Sequence, residues 1–251
     1  MFDLENRRRA KNASTNLAWS DASVMNSELI AAFGANGYVL LPRGLTPFAC
    51  DDVVEAINRV EKSNGDRRGG IRNVFQHMPE VRVLVRSSVI RAIIEPILGH
   101  NAFAVRAILF DKVPQANWRV PWHRDMAIAV RGRIDVPGFS GWSIKEGVVH
   151  VEAPREVLDR MLSIRLHLDP VDEDNGPLRV IPGSHGEPVG AVKVDDAQAV
   201  TLTCAQGSVL LMRPLLMHAS SPAKRPAHRR VLHLEFAAHD LSGGLEWYER
   251  W

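Results

Sequence analysis

Beyond residue 100 the apolar segments of this chain become short and regularly interrupted, and that rhythm limits its fold more than any other feature. The runs "AFAVRAILFDKV", "MLSIRLHLD", "AVTLTCAQGSVLLM" and "RRVLHLEFAAH" are β-branched or alternating, and glycine and proline separate them. Before that point the apolar spacing is helical. "DASVMNSELIAAFGANGYVLLPRGL" predicts a helix, a break at Gly37 and a short strand. "TPFACDDVVEAINRVEKSNG" opens on a Thr-Pro helix start and stops at Gly65. "PEVRVLVRSSVIRAIIEPILG" predicts a further helical stretch ending at Gly99. Helices first and strands later predict a mainly β core with flanking α, in the form of a double-sheet jelly roll with the N-terminal helices packed outside. At 251 residues the chain is near the upper size of one domain. We expect one domain over 1–251, helical over 1–100, with the jelly-roll core over 101–240.

Composition excludes several classes. A formal net charge of +2 is too small to imply nucleic acid. No run reaches the roughly 18 apolar residues that span a bilayer. The start "MFDLENRRRAKNAS" has charges but no apolar block after them, so no secretory signal is expected. Cys50 and Cys204 match no metal or redox spacing and are read as reduced, in a cytoplasmic protein. Oligomeric state is not legible.

Within "RVPWHRDMAIAV", His123 and Asp125 stand two apart in an apolar segment. An unpaired buried carboxylate costs several kcal/mol, so such groups are normally paired or bound to metal. On a strand, residues i and i+2 face the same way, and both can converge on one ion. An iron(II) facial triad needs one more histidine, with positions left open for an oxidant and a co-substrate. His218 is the best of the ten histidines. It follows the strand-like "GSVLLMRPLLM" and precedes the polar loop "ASSPAKRPAH", a place suited to a barrel mouth. Eleven residues later Arg229 opens "RRVLHLEF", where its guanidinium can hold a carboxylate bidentately.

The ordered set His123-Arg124-Asp125, "DNGPLRVIPGSH" over Asp174–His185, His218 and Arg229 resembles the phytanoyl-CoA dioxygenase family of iron(II)/2-oxoglutarate oxygenases. The "NGPL…PGSH" stretch is its most specific part, and the helical first third resembles the family only loosely. The resemblance implies a double-stranded β-helix of the cupin kind. It also implies iron(II) on His123, Asp125 and His218, and 2-oxoglutarate with its distal carboxylate on Arg229. Ser220 adds a weaker hydroxyl to that carboxylate. Arg230 competes with Arg229, because strand alternation points one of the pair inward. Dioxygen is the other co-substrate, and the products include succinate and carbon dioxide. Family members that halogenate replace the carboxylate with a small residue; Asp125 here favours hydroxylation, while desaturation, ring closure and epimerisation use the same triad.

A second His-x-Asp, His167-Leu168-Asp169, has the same spacing, but it adjoins the "VDEDNGPL" turn, whereas the family's metal pair lies upstream of that turn. His167 is read as an inward polar residue near the site or a hydrogen-bonded core histidine. His185 is read as structural, and His233 as packed or bonded in the sheet. The substrate is expected to be a small polar or carboxylate-bearing molecule, not nucleic acid. The long segment between Asp125 and "SIRLHLD" is read as a lid or substrate wall, and contains Trp142, Lys145 and His150. Arg106, Lys112, Arg131, Arg133 and Arg165 offer positive charge, each equally readable as surface. Trp122 is read evenly as a pocket wall or as core. The other class that fits is a cupin-like isomerase or small-molecule sensor, which keeps the metal set but needs no carboxylate-binding arginine.

Overall fold

A computed structural model describes residues 25–64, 69–190 and 194–251. Residues 21–24, where the first helical stretch was expected to open, and the stop at Gly65 lie outside the described residues. In chain order the elements begin with α1 (Ser27–Asn36), β1 (Tyr38–Leu41), α2 (Pro47–Asn64), β2 (Gly70–Ile71), α3 (Val74–His77), α4 (Pro79–Val85) and α5 (Ser88–Leu98). Then follow β3 (Phe103–Asp111), β4 (Val120–His123), β5 (Ala127–Val130), β6 (Ser140–Lys145), β7 (Val148–Glu152), α6 (Arg155–Leu158) and β8 (Met161–His167). The chain closes with β9 (Leu178–Val180), β10 (Val200–Leu202), β11 (Val209–Met212), β12 (His218–Ser220) and β13 (Arg230–Ala237).

Local chemistry sets the helix ends. The Asn26 side chain accepts from the Leu29 N–H at the start of α1, and Gly37, at φ 77°, donates its N–H to Phe33 O at the end. A Cβ on Gly37 would stand 2.4 Å from the His185 ring, so both the backbone angle and the close approach require glycine. Thr46 Oγ1 accepts from the Ala49 N–H at 3.2 Å and opens α2, as the Thr-Pro pair predicts. The stretch 79–99 is not one helix. It breaks at Arg86, and Ser87 restarts it by accepting from the Ile90 N–H.

Every strand pair is antiparallel. One sheet has six strands in the order β1-β11-β8-β13-β3-β2; a second has four, β10-β9-β12-β4; a third has three, β5-β7-β6. The fold is thus mainly β with flanking helices, as expected, and the sheets do not close into one barrel. Alternation along the six-stranded sheet divides its residues. Leu109, Ile164, Leu232 and Leu234 join Phe75, Ile90 and Ile93 of the helices in one buried core. Arg106, Ile108, Phe110, Arg165 and His233 point the other way, into a cavity whose far wall is the four-stranded sheet. Truncating one fully buried core residue such as Ile93 costs about 2–5 kcal/mol. The segment expected as a lid loop instead forms the third sheet, held by the Ala127–Val130 and Ser140–Lys145 pairings with β7. No helix among the described residues is long and apolar enough to cross a membrane.

Candidate active site

His123 ends β4 and His218 opens β12, and the two are directly opposite in the antiparallel pairing. Their rings lie 4.2 Å apart at 51°. Asp125 lies past the end of β4, where its backbone N–H donates to Pro214 O at 2.9 Å. The chain therefore turns the carboxylate back toward the histidines rather than presenting it from a continuous strand. His218, expected where a strand runs out into a loop, begins one instead; residues 213–217 cross between sheets. Asp125 offers one oxygen to each imidazole: Oδ1 is 3.6 Å from His123 Nε2, and Oδ2 is 3.6 Å from His218 Nε2.

The histidines are oriented alike. His123 Nδ1 meets Pro121 O at 2.9 Å, and His218 Nδ1 meets Leu216 O at 2.8 Å. A proton on each Nδ1, donated to those carbonyls, leaves Nε2 with its lone pair toward Asp125. Burial pushes the His218 imidazole down to about 4, and His123 adds in the same direction, so it is neutral and ready to ligate. Burial pushes the Asp125 carboxyl up, but His218, the His123 hydrogen bond and His233 more than reverse it, and it stays ionised. Burial lowers the His123 imidazole as well, but the neighbouring Asp125 carboxylate outweighs that and raises it. Two donors each about 2.1 Å from one ion stand ~3 Å apart at right angles and ~4 Å apart when opposite, so separations of 3.6 Å fit a shared cation. Among the described residues, these three form the one His/Cys/Asp/Glu group whose ligand atoms all lie within 4.8 Å of one another.

The "PGSH" turn braces both segments that carry the His/Asp/His cluster. Ser184 Oγ accepts from the Met217 N–H at 2.9 Å, one residue before His218. Ser184 O accepts from Arg124 Nη2 at 2.6 Å, between the other two ligands. The "NGPL" part lies at the opposite end of the cavity, where Gly176 O accepts from Arg229 Nη1 at 2.8 Å.

Arg229 is buried and lines the cavity, with its Nε lacking a partner among the described residues. Lys112, fully buried, donates to Ser220 Oγ at 3.0 Å and to Ser221 O beside it. Burial, then the Arg229 and Arg165 charges, push the Lys112 amine down to about 7. Arg230 is engaged elsewhere. Its Nε and Nη2 hold Asp169 at 2.8 and 2.6 Å, which also removes His167/Asp169 from consideration as a metal pair.

The cavity, about 380 Å³, has both metal-facing histidines, Asp125, Arg106, Lys112, Arg165, Ser220 and Arg229 in its wall. Arg106 pairs with Glu235. The Arg165 side chain makes no hydrogen bond among the described residues; its guanidinium sits 5.4 Å from the Phe110 ring. Three expected substrate residues are not brought to the wall. Trp122, next to His123, faces away beneath Arg179 at 5.4 Å. Trp142 stacks with Arg133 at 5.4 Å and packs on the core of the third sheet. His167 is buried behind the cavity, and burial pushes its imidazole down to about 3. Arg72, Arg124, Glu152 and His233 do line it and were not anticipated as site residues; Lys145, noted in the expected lid, lines it too. For Glu152 and His233 the only sequence signal is inward parity on strands whose pairing was unknown; Arg72 and Arg124 lie just past the ends of β2 and β4, where parity carries none.

The fold matches solved structures at low sequence identity. The 2-oxoglutarate-dependent carbocyclase SnoK from nogalamycin biosynthesis superposes with a TM-score of 0.67 at 17% identity, covering 89% of this chain and 88% of that one. HygX from Streptomyces hygroscopicus, with nickel and 2-oxoglutarate bound, gives 0.64 at 11% identity, covering 85% and 87%. The epimerase SnoN, also from nogalamycin biosynthesis, gives 0.62 at 16% identity, covering 84% and 79%. No curated protein sequence matches this chain. The phytanoyl-CoA dioxygenase (PhyH) family model matches residues 33–231, a span that holds the His123/Asp125/His218 cluster, the bracing turn and Arg229, and the chain belongs to that family.

Proposed function

We propose that this protein is an iron(II)- and 2-oxoglutarate-dependent oxygenase that hydroxylates a small polar or carboxylate-bearing metabolite, consuming dioxygen and releasing succinate and carbon dioxide. The observation that carries the reading is one cavity with both a two-histidine, one-carboxylate cluster and a buried arginine with an unpartnered donor. In this reading His123, Asp125 and His218 hold the iron. Arg229, Ser220 and Lys112 take the distal carboxylate of 2-oxoglutarate, which offers an acceptor to the unpartnered Nε of Arg229. The iron, when bound, supplies oxygen activation; the protein supplies binding, orientation and exclusion of side reactions. Asp125 supports hydroxylation over halogenation, since its carboxylate fills the position that a halide would need. A cupin-like isomerase or sensor would leave the buried Arg229 without a purpose.

The test is succinate release from the iron-loaded protein, with and without candidate metabolites, followed by product mass. Gain of one oxygen coupled to succinate supports the reading. Absence of 2-oxoglutarate binding by the iron-loaded protein refutes it, and a product with no added oxygen refutes hydroxylation while leaving the oxidase chemistry. A chlorinated product from the unmutated protein would remove Asp125 from the metal.

A further inference from the structure

Alternate residues of β3 and its extension, Arg106, Ile108, Phe110 and Lys112, all face the cavity. At ~3.3 Å per residue, Arg106 and Lys112 are about 20 Å apart along it. The cations divide accordingly. Lys112, Arg165 and Arg229 act on one another electrostatically at one end. Arg72, Arg106 and Lys145 do so at the other. A five-carbon dicarboxylate is only about 5–7 Å long, from ordinary bond lengths. One molecule of 2-oxoglutarate reaching from the metal to Arg229 cannot also occupy the far end.

That far end is built for a ligand. Arg106 is already matched by Glu235. The side chains of Arg72 and Lys145 make no hydrogen bond or ion pair among the described residues, although both face the cavity. They come from distant segments that are tied together. Asn73, beside Arg72, donates through Nδ2 to the carbonyl of Glu146, beside Lys145, at 3.4 Å. Both of these linking residues hold left-handed backbone angles, φ 53° and φ 48°. Glu146 and Gly147 form the two-residue turn of the β6–β7 hairpin, with positive φ at both positions. Non-glycine residues held at such angles cost energy that the surroundings must offset, and they cluster at ligand clamps.

Charge counting sets the ligand class. The far end carries Arg72, Arg106 and Lys145, and the carboxylates that act on Lys145 there are Asp125 and Glu235, one positive charge in excess. We infer that Lys145 and Arg72 hold the carboxylate of a monoanionic primary substrate, with the rest of that molecule extending toward the metal cluster. The inference rests on the oxygenase reading for its orientation, and it narrows the substrate to a carboxylic acid.

The experiment uses iron(II)-loaded protein, anaerobic and saturated with 2-oxoglutarate. Probes are a series of monocarboxylates, from butanoate to 3-phenylpropanoate, each paired with its primary amide. Calorimetry measures binding, and the metal-to-ligand absorption band reports 2-oxoglutarate. The expected result is that acids bind at least tenfold more tightly than their amides. Lys145→Met removes that preference, Lys145→Arg retains it, and neither changes 2-oxoglutarate affinity. The inference is overturned if no acid outperforms its amide, or if Lys145→Met weakens 2-oxoglutarate instead of the acids. A missing absorption band in the wild type would refute the oxygenase reading alone, because the acid–amide comparison still decides the cationic pocket.

Discussion

Arg230 grips Asp169 at two points, and the backbone N–H of Arg230 donates to the same carboxylate at 2.7 Å. With Arg230 fixed outward, its neighbour Arg229 is turned into the cavity. The two arginines therefore have separable effects. Arg229→Ala should weaken 2-oxoglutarate binding by about 2–5 kcal/mol, roughly thirtyfold or more in Kd, with little loss of iron. Arg230→Ala should leave Kd nearly unchanged and cost about 2–3 kcal/mol of stability, because Asp169 loses its charged partner. Anaerobic titration of the metal-to-ligand band, alongside thermal unfolding, separates the two; the reverse pattern would place the wrong arginine inward.

The metal cluster makes a second prediction. His123→Ala, Asp125→Ala and His218→Ala should each abolish tight iron binding, whereas His167→Ala should keep the metal. Metal content of the purified variants is the readout. Full iron in His218→Ala would remove that residue from the site.

Ser184 predicts a graded effect without touching the metal. Its hydroxyl bonds to Ile181 O at 2.7 Å and receives the Met217 N–H. Ser184→Ala would leave that N–H without its acceptor and loosen the approach to His218. Residues that orient ligands typically contribute 10–100-fold to metal affinity. Iron affinity should fall by about tenfold while the variant stays folded; an unchanged affinity would show the brace to be irrelevant to the metal.

His167 predicts a pH dependence of stability. Its folded imidazole titrates at about 3, against an ordinary 6.5, because of burial and then the Arg165 and Arg229 charges. Between those values the unfolded chain binds a proton that the folded chain does not, so stability falls as pH falls through that window. One group contributes at most about 1.4 kcal/mol per pH unit. Other carboxylates titrate in the same range, so the comparison is with His167→Leu. Its chemical-denaturation stability should fall less steeply between pH 6.5 and 4 than that of the wild type, and parallel slopes would contradict the assignment.

Local signals account for what the sequence revealed. The Thr-Pro start of α2, the Gly37 stop and the alternation of β3, β8 and β13 are written in neighbouring residues, and each appears where expected. His123 and Asp125 were legible as a pair because they are close in sequence. Their convergence depends on a turn held by Pro214, not on strand geometry. The β5–β7 sheet was hidden because "SGWSIK" has no clean apolar face: Ser140, Gly141 and Ile144 are all exposed. The split at Arg86 was missed because apolar residues continue on both sides of it. Arg72 and His233 reach the cavity only through pairings between distant strands, which no local pattern encodes.

The hairpin that carries Lys145 has a consequence for how such a protein diversifies. The proposed iron ligands and Arg229 come from β4 and the turn after it, from β12 and from the residue before β13, and the β6–β7 hairpin pairs with none of these strands. It is joined to β5, and its tip touches the N-terminal segment through Asn73 and Glu146. The exposed positions of residues 140–152 can therefore change without altering the pairing of β4, β12 or β13. On the proposed reading, substitutions at Lys145 would retune what enters the cavity without touching the proposed iron ligands, so substrate preference and reactivity would be free to evolve on separate clocks.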